Sequence, residues 1–236
     1  MQKPTPEIIA QAKSLDHYVN HLVDPLDPEA NDIFSSWYEI TEQYDFYDQK
    51  FEENGLVGLK DIEGNLRVPA LYSDYDEIFD IFAFRDLPVA AVNAEGKVAL
   101  VAADGTGTPL CAFRYDHIVL DQDSGHYFYT MVNNKMGLLS RHGEELLPAI
   151  YDHIEFPNAG IYITQQEGKF GFFCEEGHGF TVPALYDEID EDNAYLHARL
   201  GDQWGYFDTS GRFLPDVTVE SPQQAGALRL TPLFLP

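Results

Sequence analysis

Two patterns of apolar spacing divide the chain near residue 50. Ahead of that point Ile8, Ala12, Leu15, Val19 and Leu22 recur at alternating steps of four and three, as do Ile33, Trp37, Ile40 and Tyr44. That is the spacing of helices that each bury one stripe. Thr5-Pro6-Glu7 carries the signal that opens the first helix, which should stop near Asp24-Pro25, and Asp27-Pro28-Glu29 opens the second. Past residue 50 the period falls to two. In residues 195–200, Leu196, Ala198 and Leu200 alternate with Tyr195, His197 and Arg199, the pattern of a half-buried strand. Runs of the same kind lie at 88–92, 127–132 and 161–165.

Each strand-like run precedes a copy of one unit, clearest at residues 134–154, NKMGLLSRHGEELLPAIYDHI. Its skeleton is lysine, a large apolar residue, glycine, two apolar residues, a turn closed by Gly143, Pro148, and Tyr151-Asp152-x-Ile154. Further copies begin at Gly55, Gly96, Gly168 and Asp202. Gly58 and Gly64, Ala99 and Gly105, Gly137 and Gly143, Gly171 and Gly177, and Gly205 and Gly211 are all six apart. A constant offset of this kind needs a backbone cause. In Asp61–Gly64 and Asp208–Gly211 an Asp opens and a Gly closes a four-residue turn, as in a hairpin with a glycine bulge. Each repeat is therefore expected to form about three short antiparallel strands. Self-similarity at this period predicts a mainly β chain: five antiparallel β-hairpin repeats over 51–216 in an elongated array, behind an N-terminal α-helical cap over 1–50. Five units could also close into a five-bladed, propeller-like ring. In the first copy, extra residues are read between Pro69 and Tyr75-Asp76-Glu77-Ile78. Residues 217–236 are too apolar at Leu228, Leu230, Leu233, Phe234 and Leu235 for a free tail. They are expected to close the last repeat, with docking into another protein as the alternative.

These residues resemble the WG (KWG) repeat family of β-rich bacterial proteins, most closely in DQWGYFDTSG at 202–211 and overall across 54–216. The tryptophan survives only as Trp204, with Val57, Val98, Met136 and Phe170 in the other copies. What the resemblance implies is a repeat scaffold with no shared catalytic residues.

Charge narrows the function classes. Forty acidic residues stand against fourteen basic ones, a net charge of -26 distributed along the whole chain. Such a field repels nucleic-acid and membrane phosphates and speeds encounter with basic partners. The two cysteines, Cys111 and Cys174, form no metal or redox spacing and are expected to be reduced core thiols. No secretory leader and no membrane-length apolar run can be read in the sequence, so a cytoplasmic protein is expected.

Candidate chemistry centres on the Tyr-Asp-x-Ile motifs. If the repeats stack in register, Asp76, Glu77, Asp116, His117, Asp152, His153, Asp187 and Glu188 form a row. That row could bind a partner, hold a metal or perform acid and base work. Alternatively, each Asp caps a turn and the residue after it points to water. His17 and His21 share one helical face but have no third ligand, as in a surface pair. No nucleophile elbow, P-loop or dinucleotide fingerprint is present. The expectation is a non-catalytic module, needing no cofactor, that binds another protein of basic character. Its sharpest form is an inhibitor or immunity-type protein neutralising a basic partner such as a bacterial toxin. A metal-binding or hydrolytic protein using the carboxylate and histidine row is the alternative, and a structural scaffold is a third.

Overall fold

The computed structural model describes residues 2–21, 30–77, 87–121, 127–158, 161–174, 180–192 and 195–208. Two helices lead, α1 (Pro6–His21) and α2 (Ala30–Gln43). Thr5 fixes the start of α1, its hydroxyl accepting from the Ile8 N–H at 3.4 Å. Ile9, Ala12, Ile40 and Phe46 form the shared core of the pair, with Ile8, Leu15 and Tyr44 beside it. Ile9 was not in the expected stripe, because Ile8 and Ile9 compete for one helical face and the second points more squarely inward. Ile62, from the turn at residues 61–65, completes this cluster, and Lys13 pairs with Glu63 on the same turn. The helices thus cover the start of the array. The expected break at Asp24-Pro25 and restart at Asp27-Pro28 lie outside the described residues.

Seventeen strands follow among the described residues, in five antiparallel sheets. Sheet 1 holds β1 (Gln49–Glu53), β2 (Leu56–Lys60) and β3 (Leu66–Tyr72); sheet 2 holds β4 (Asp74–Glu77), β5 (Val89–Val92) and β6 (Val98–Val101). Sheet 3 is β7 (His117–Leu120), β8 (Tyr127–Val132), β9 (Lys135–Ser140) and β10 (Glu145–Tyr151). Sheet 4 is β11 (His153–Asn158), β12 (Ile161–Gln166), β13 (Lys169–Cys174) and β14 (Phe180–Tyr186). Sheet 5 is β15 (Glu188–Asp192), β16 (Tyr195–Leu200) and β17 (Gln203–Asp208). Every sheet is a meander in chain order. The expected three strands per repeat become up to four, since the Tyr-Asp-x-Ile motif belongs to two sheets: its Tyr ends one and its Ile begins the next. Residues 209–236, with Gly211 and the expected closing segment 217–236, lie outside the described residues.

The chain divides into two compact units, residues 1–119 with 141–143 and residues 120–140 with 144–236. Within the first, sheets 1 and 2 bury Leu59, Val68, Tyr72, Tyr75, Val89, Ala91 and Val101 in one cluster. Within the second, Tyr151 and Leu138 of sheet 3 pack on Ile154, Tyr162 and Phe173 of sheet 4. Phe172, Val182 and Tyr186 of sheet 4 then pack on Leu196, Ala198 and Phe207 of sheet 5. Stacking face to face lets sheet 4 bury both sides, against sheet 3 and against sheet 5, which it could not do alone. The expected alternation in β16 holds here, with Leu196 and Ala198 fully buried.

The repeat glycine has a packing cause in the first, third and fourth copies, at Gly58, Gly137 and Gly171. A Cβ on Gly137 would sit 2.7 Å from the Ala149 nitrogen and the Leu147 oxygen, and one on Gly171 would sit 2.6 Å from the Pro183 carbonyl carbon. Opposite each glycine the register slips, between Leu147 and Tyr151 in β10 and opposite Phe170 and Phe172 in β13–β14. This bulge, carrying Pro148 or Pro183, pushes its backbone into the space a side chain would occupy. In the second copy Ala99 replaces the glycine, and its outer segment makes only the single bridges Val98–Tyr115 and Val101–Pro109.

Candidate interaction surface

The motif aspartates are held by the lysines that open their own repeats. Lys97 donates to Asp116 at 2.6 Å, Lys135 to Asp152, and Lys169 to Asp187. The second oxygen of Asp152 accepts from the Glu167 N–H at 2.7 Å, and that of Asp187 from the Gly201 N–H at 2.7 Å. Both N–H groups belong to the second hairpin turn of the next sheet, β12–β13 for Glu167 and β16–β17 for Gly201. Each carboxylate therefore staples the lysine of one sheet to the turn of its neighbour. The lysine hydrogen bond, followed by the turn N–H, lowers the pKa of Asp152 and of Asp187 below the ordinary carboxylate value. Of the two roles the sequence leaves open for these aspartates, the turn-capping one describes Asp152 and Asp187.

The first copy requires a correction. Tyr72, not Tyr75, pairs with Val57, as Tyr151 pairs with Met136 and Tyr186 with Phe170. The Ser73 N–H donates to Val92 O, as Asp152 donates to Gln165 O and Asp187 to Arg199 O. Tyr72-Ser73-Asp74-Tyr75 is thus the true motif, with no insertion after Pro69, and Asp76 and Glu77 fall three positions out of register. Leu56 occupies the lysine position and Ser73 the aspartate position, so this copy lacks both halves of the staple. Asp74 pairs instead with Lys50 of β1 at 2.6 Å. That bond and the Tyr75 N–H lower its pKa.

The remaining row residues separate. Asp76 is largely buried and turned toward the next motif, one oxygen 3.1 Å from His117 Nδ1 and the other accepting the Ile118 N–H at 3.0 Å. Glu77 ends β4 opposite Ala90, and its side chain lies outside the described residues. His153 is exposed, its Nε2 3.6 Å from Glu155. Glu188 accepts from Arg199 at 2.9 Å. His117, His153 and Glu188 do follow their aspartates into solvent, with side chains 60%, 58% and 51% exposed. The structure therefore joins Asp76 to His117 and leaves the other members at equivalent but separate places. No group of three or more His, Cys, Asp or Glu side chains among the described residues is arranged to hold a metal ion. His17 is exposed, and the side chain of His21 lies outside the described residues.

Many of the basic side chains among the described residues are paired within the fold. Lys13, Lys50, Lys97, Lys135, Lys169, Arg67 and Arg199, half of the fourteen lysines and arginines, each pair with a carboxylate of this same chain. Only Arg67–Asp48 is buried, and burial, opposed by Arg67, raises the Asp48 pKa. Cys111 and Cys174 form no disulfide with each other. Cys174 sits in the core of sheet 4 against sheet 5, and Cys111 Sγ accepts the Leu100 N–H at 3.3 Å. Burial pushes the Cys111 thiol up.

Sequence reasoning missed one feature. Among the described residues the exposed large hydrophobic side chains are Tyr38, Leu66, Leu71, Ile150 and Leu185. Three of the five, Leu71, Ile150 and Leu185, occupy one repeat position, just before the buried tyrosine. Only an alignment on Pro69–Tyr72, Pro148–Tyr151 and Pro183–Tyr186 would have shown it.

The family model described as WG containing repeat matches residues 136–170, one full cycle from the second residue of β9 to the same point in β13. No curated protein matches the chain. Solved structures with local likeness include a eukaryotic initiation factor, at 13% identity over 71% of this chain and 50% of that one, with a TM-score of 0.37. Hsv2 of Kluyveromyces lactis matches at 12% identity over 71% and 58%, TM-score 0.30. PorZ of Porphyromonas gingivalis matches at 13% over 71% and 26%, TM-score 0.28. The chain thus spans half the length of the initiation factor. No helix among the described residues is long and apolar enough to cross a membrane.

Proposed function

From the premise that this chain carries a WG repeat within a β array, we propose that it is a non-catalytic, acidic protein-binding module. Its sharpest form is an inhibitor of the immunity type, neutralising a basic partner such as a bacterial toxin in the cytoplasm. One observation carries this reading: the repeat lysines Lys97, Lys135 and Lys169 are each paired with an aspartate of the same repeat, while the chain as a whole keeps a net surplus of 26 negative charges. A basic cleft built for an anionic substrate would be filled by such a surface, with steering that accelerates encounter.

The test is capture of partners from source-cell lysate by the tagged protein at low and at high salt. A single basic protein held in stoichiometric amount, weakened by salt, is the expected result, followed by inhibition of that protein's own activity on titration. Retention of no basic protein, or of one whose activity is unaffected by saturating amounts, overturns the module or its inhibitory form respectively.

A further inference from the structure

The exposed aliphatic position before the buried tyrosine is not demanded by the fold. Its side chain points away from the cluster the tyrosine joins. The second copy dispenses with it, placing Arg114 there, which donates to the Tyr115 hydroxyl at 2.9 Å. Yet in the three copies whose outer segment forms a full strand, β3, β10 and β14, the position is aliphatic: Leu71 is 51% exposed, Ile150 43% and Leu185 54%. A single exposed leucine means little, but the same exposure at the same place in three repeats is a pattern. In β10 and β14 an exposed proline, Pro148 or Pro183, stands two residues ahead. Both are edge strands of their sheets, and proline removes a backbone donor from the edge, which blunts it against strand addition. Side chains, then, are what these edges offer. The same segments carry exposed acidic residues: Glu144 and Glu145 lead into β10, and Glu188, whose carboxylate accepts from Arg199, follows Leu185 by three residues.

We propose that the edges of β10 and β14 form the docking surface of the second unit, with Ile150 and Leu185 as apolar anchors in an acidic rim. The occupant is a folded basic protein that presents apolar side chains among lysines and arginines. This rests on the acidic-module reading above and adds where the partner sits and why salt alone does not release it. Carboxylates steer and select, while desolvated aliphatic anchors supply retention.

The test is the double variant I150T/L185T, which places β-branched, strand-compatible residues at exposed sites and should melt at the wild-type temperature. Against the basic protein captured by the wild type, it should bind at least about tenfold more weakly, by titration calorimetry at high salt. Lysozyme, a basic probe held by charge alone, should bind both forms alike at low salt. Equal affinity of wild type and variant for the captured protein overturns the docking surface and leaves the acidic module standing. Loss of lysozyme binding in parallel also overturns it, since the variant would then have changed more than its anchors. Failure to capture any basic protein overturns both.

Discussion

Glycine serves two distinct ends in this chain, and substitution should separate them. Gly171 faces the backbone of the β14 bulge, so an added methyl meets peptide atoms that cannot rotate away. Gly168 has nothing within 4 Å, but its φ is +75°. With Glu167 at φ 52° it forms the two-residue, doubly left-handed turn between β12 and β13. Asn133 and Asn134, at φ 51° and 61°, occupy the same turn in sheet 3. Asparagine should therefore replace Gly168 at a cost within roughly 0.5 kcal/mol. Gly171→Ala should cost about 1–3 kcal/mol by overpacking. Urea midpoints of the two variants, with the m-value checked for constancy, decide between these roles. Equal losses would mean that the β14 bulge yields.

At the scale of the element, the Lys-Asp staple is the device that repeats. Asp152 and Asp187 have folded pKa values below their unfolded ones. Their stabilisation is therefore complete above the unfolded value near 4 and is lost as pH falls through the depressed folded value. D152N and D187N should accordingly lose stability at pH 7 and converge on the wild type toward pH 3. A gap that persisted in acid would assign the loss to shape and not to charge. In a double-mutant cycle K169Q and D187N should be non-additive, because each removes the same contact. The staples also mark where the sequence was legible. The six-residue glycine spacing could be read because bulge and turn both fix backbone, and Gly64, at φ +90° after the Asp61 turn, stands as expected. Asn54-Gly55 was an equally readable turn signal for the β1–β2 hairpin. The first copy misled because Tyr75-Asp76-Glu77-Ile78 imitates the motif three residues late. Spacing from Pro69 would have corrected it, since proline sits three residues before the tyrosine in each regular copy. Nothing in one sequence distinguishes an aspartate that staples two sheets from one that faces a partner. The distinction lies in Glu167 and Gly201, fifteen and fourteen residues away, whose N–H groups are anonymous in sequence.

For the whole molecule two electrostatic effects oppose each other, and their balance is measurable. Added salt weakens the exposed Lys-Asp staples, which lowers stability. It also screens the mutual repulsion of a chain with net charge -26, which raises stability. Ion pairs as exposed as Lys135–Asp152, whose side chains are 40% and 41% accessible, are worth little one at a time. The repulsion is collective, acting among all 40 carboxylates with only 14 cations to offset it. Repulsion should win. The melting temperature should rise as sodium chloride is increased from about 10 mM to about 500 mM, where the Debye length falls from about 30 Å to less than 10 Å. D152N and D187N should rise more steeply than the wild type, having fewer staples for salt to weaken. A melting temperature that falls with salt would show that the staples dominate. In that case the excess charge would carry no stability cost, and the argument that it is kept for a basic partner would lose its force.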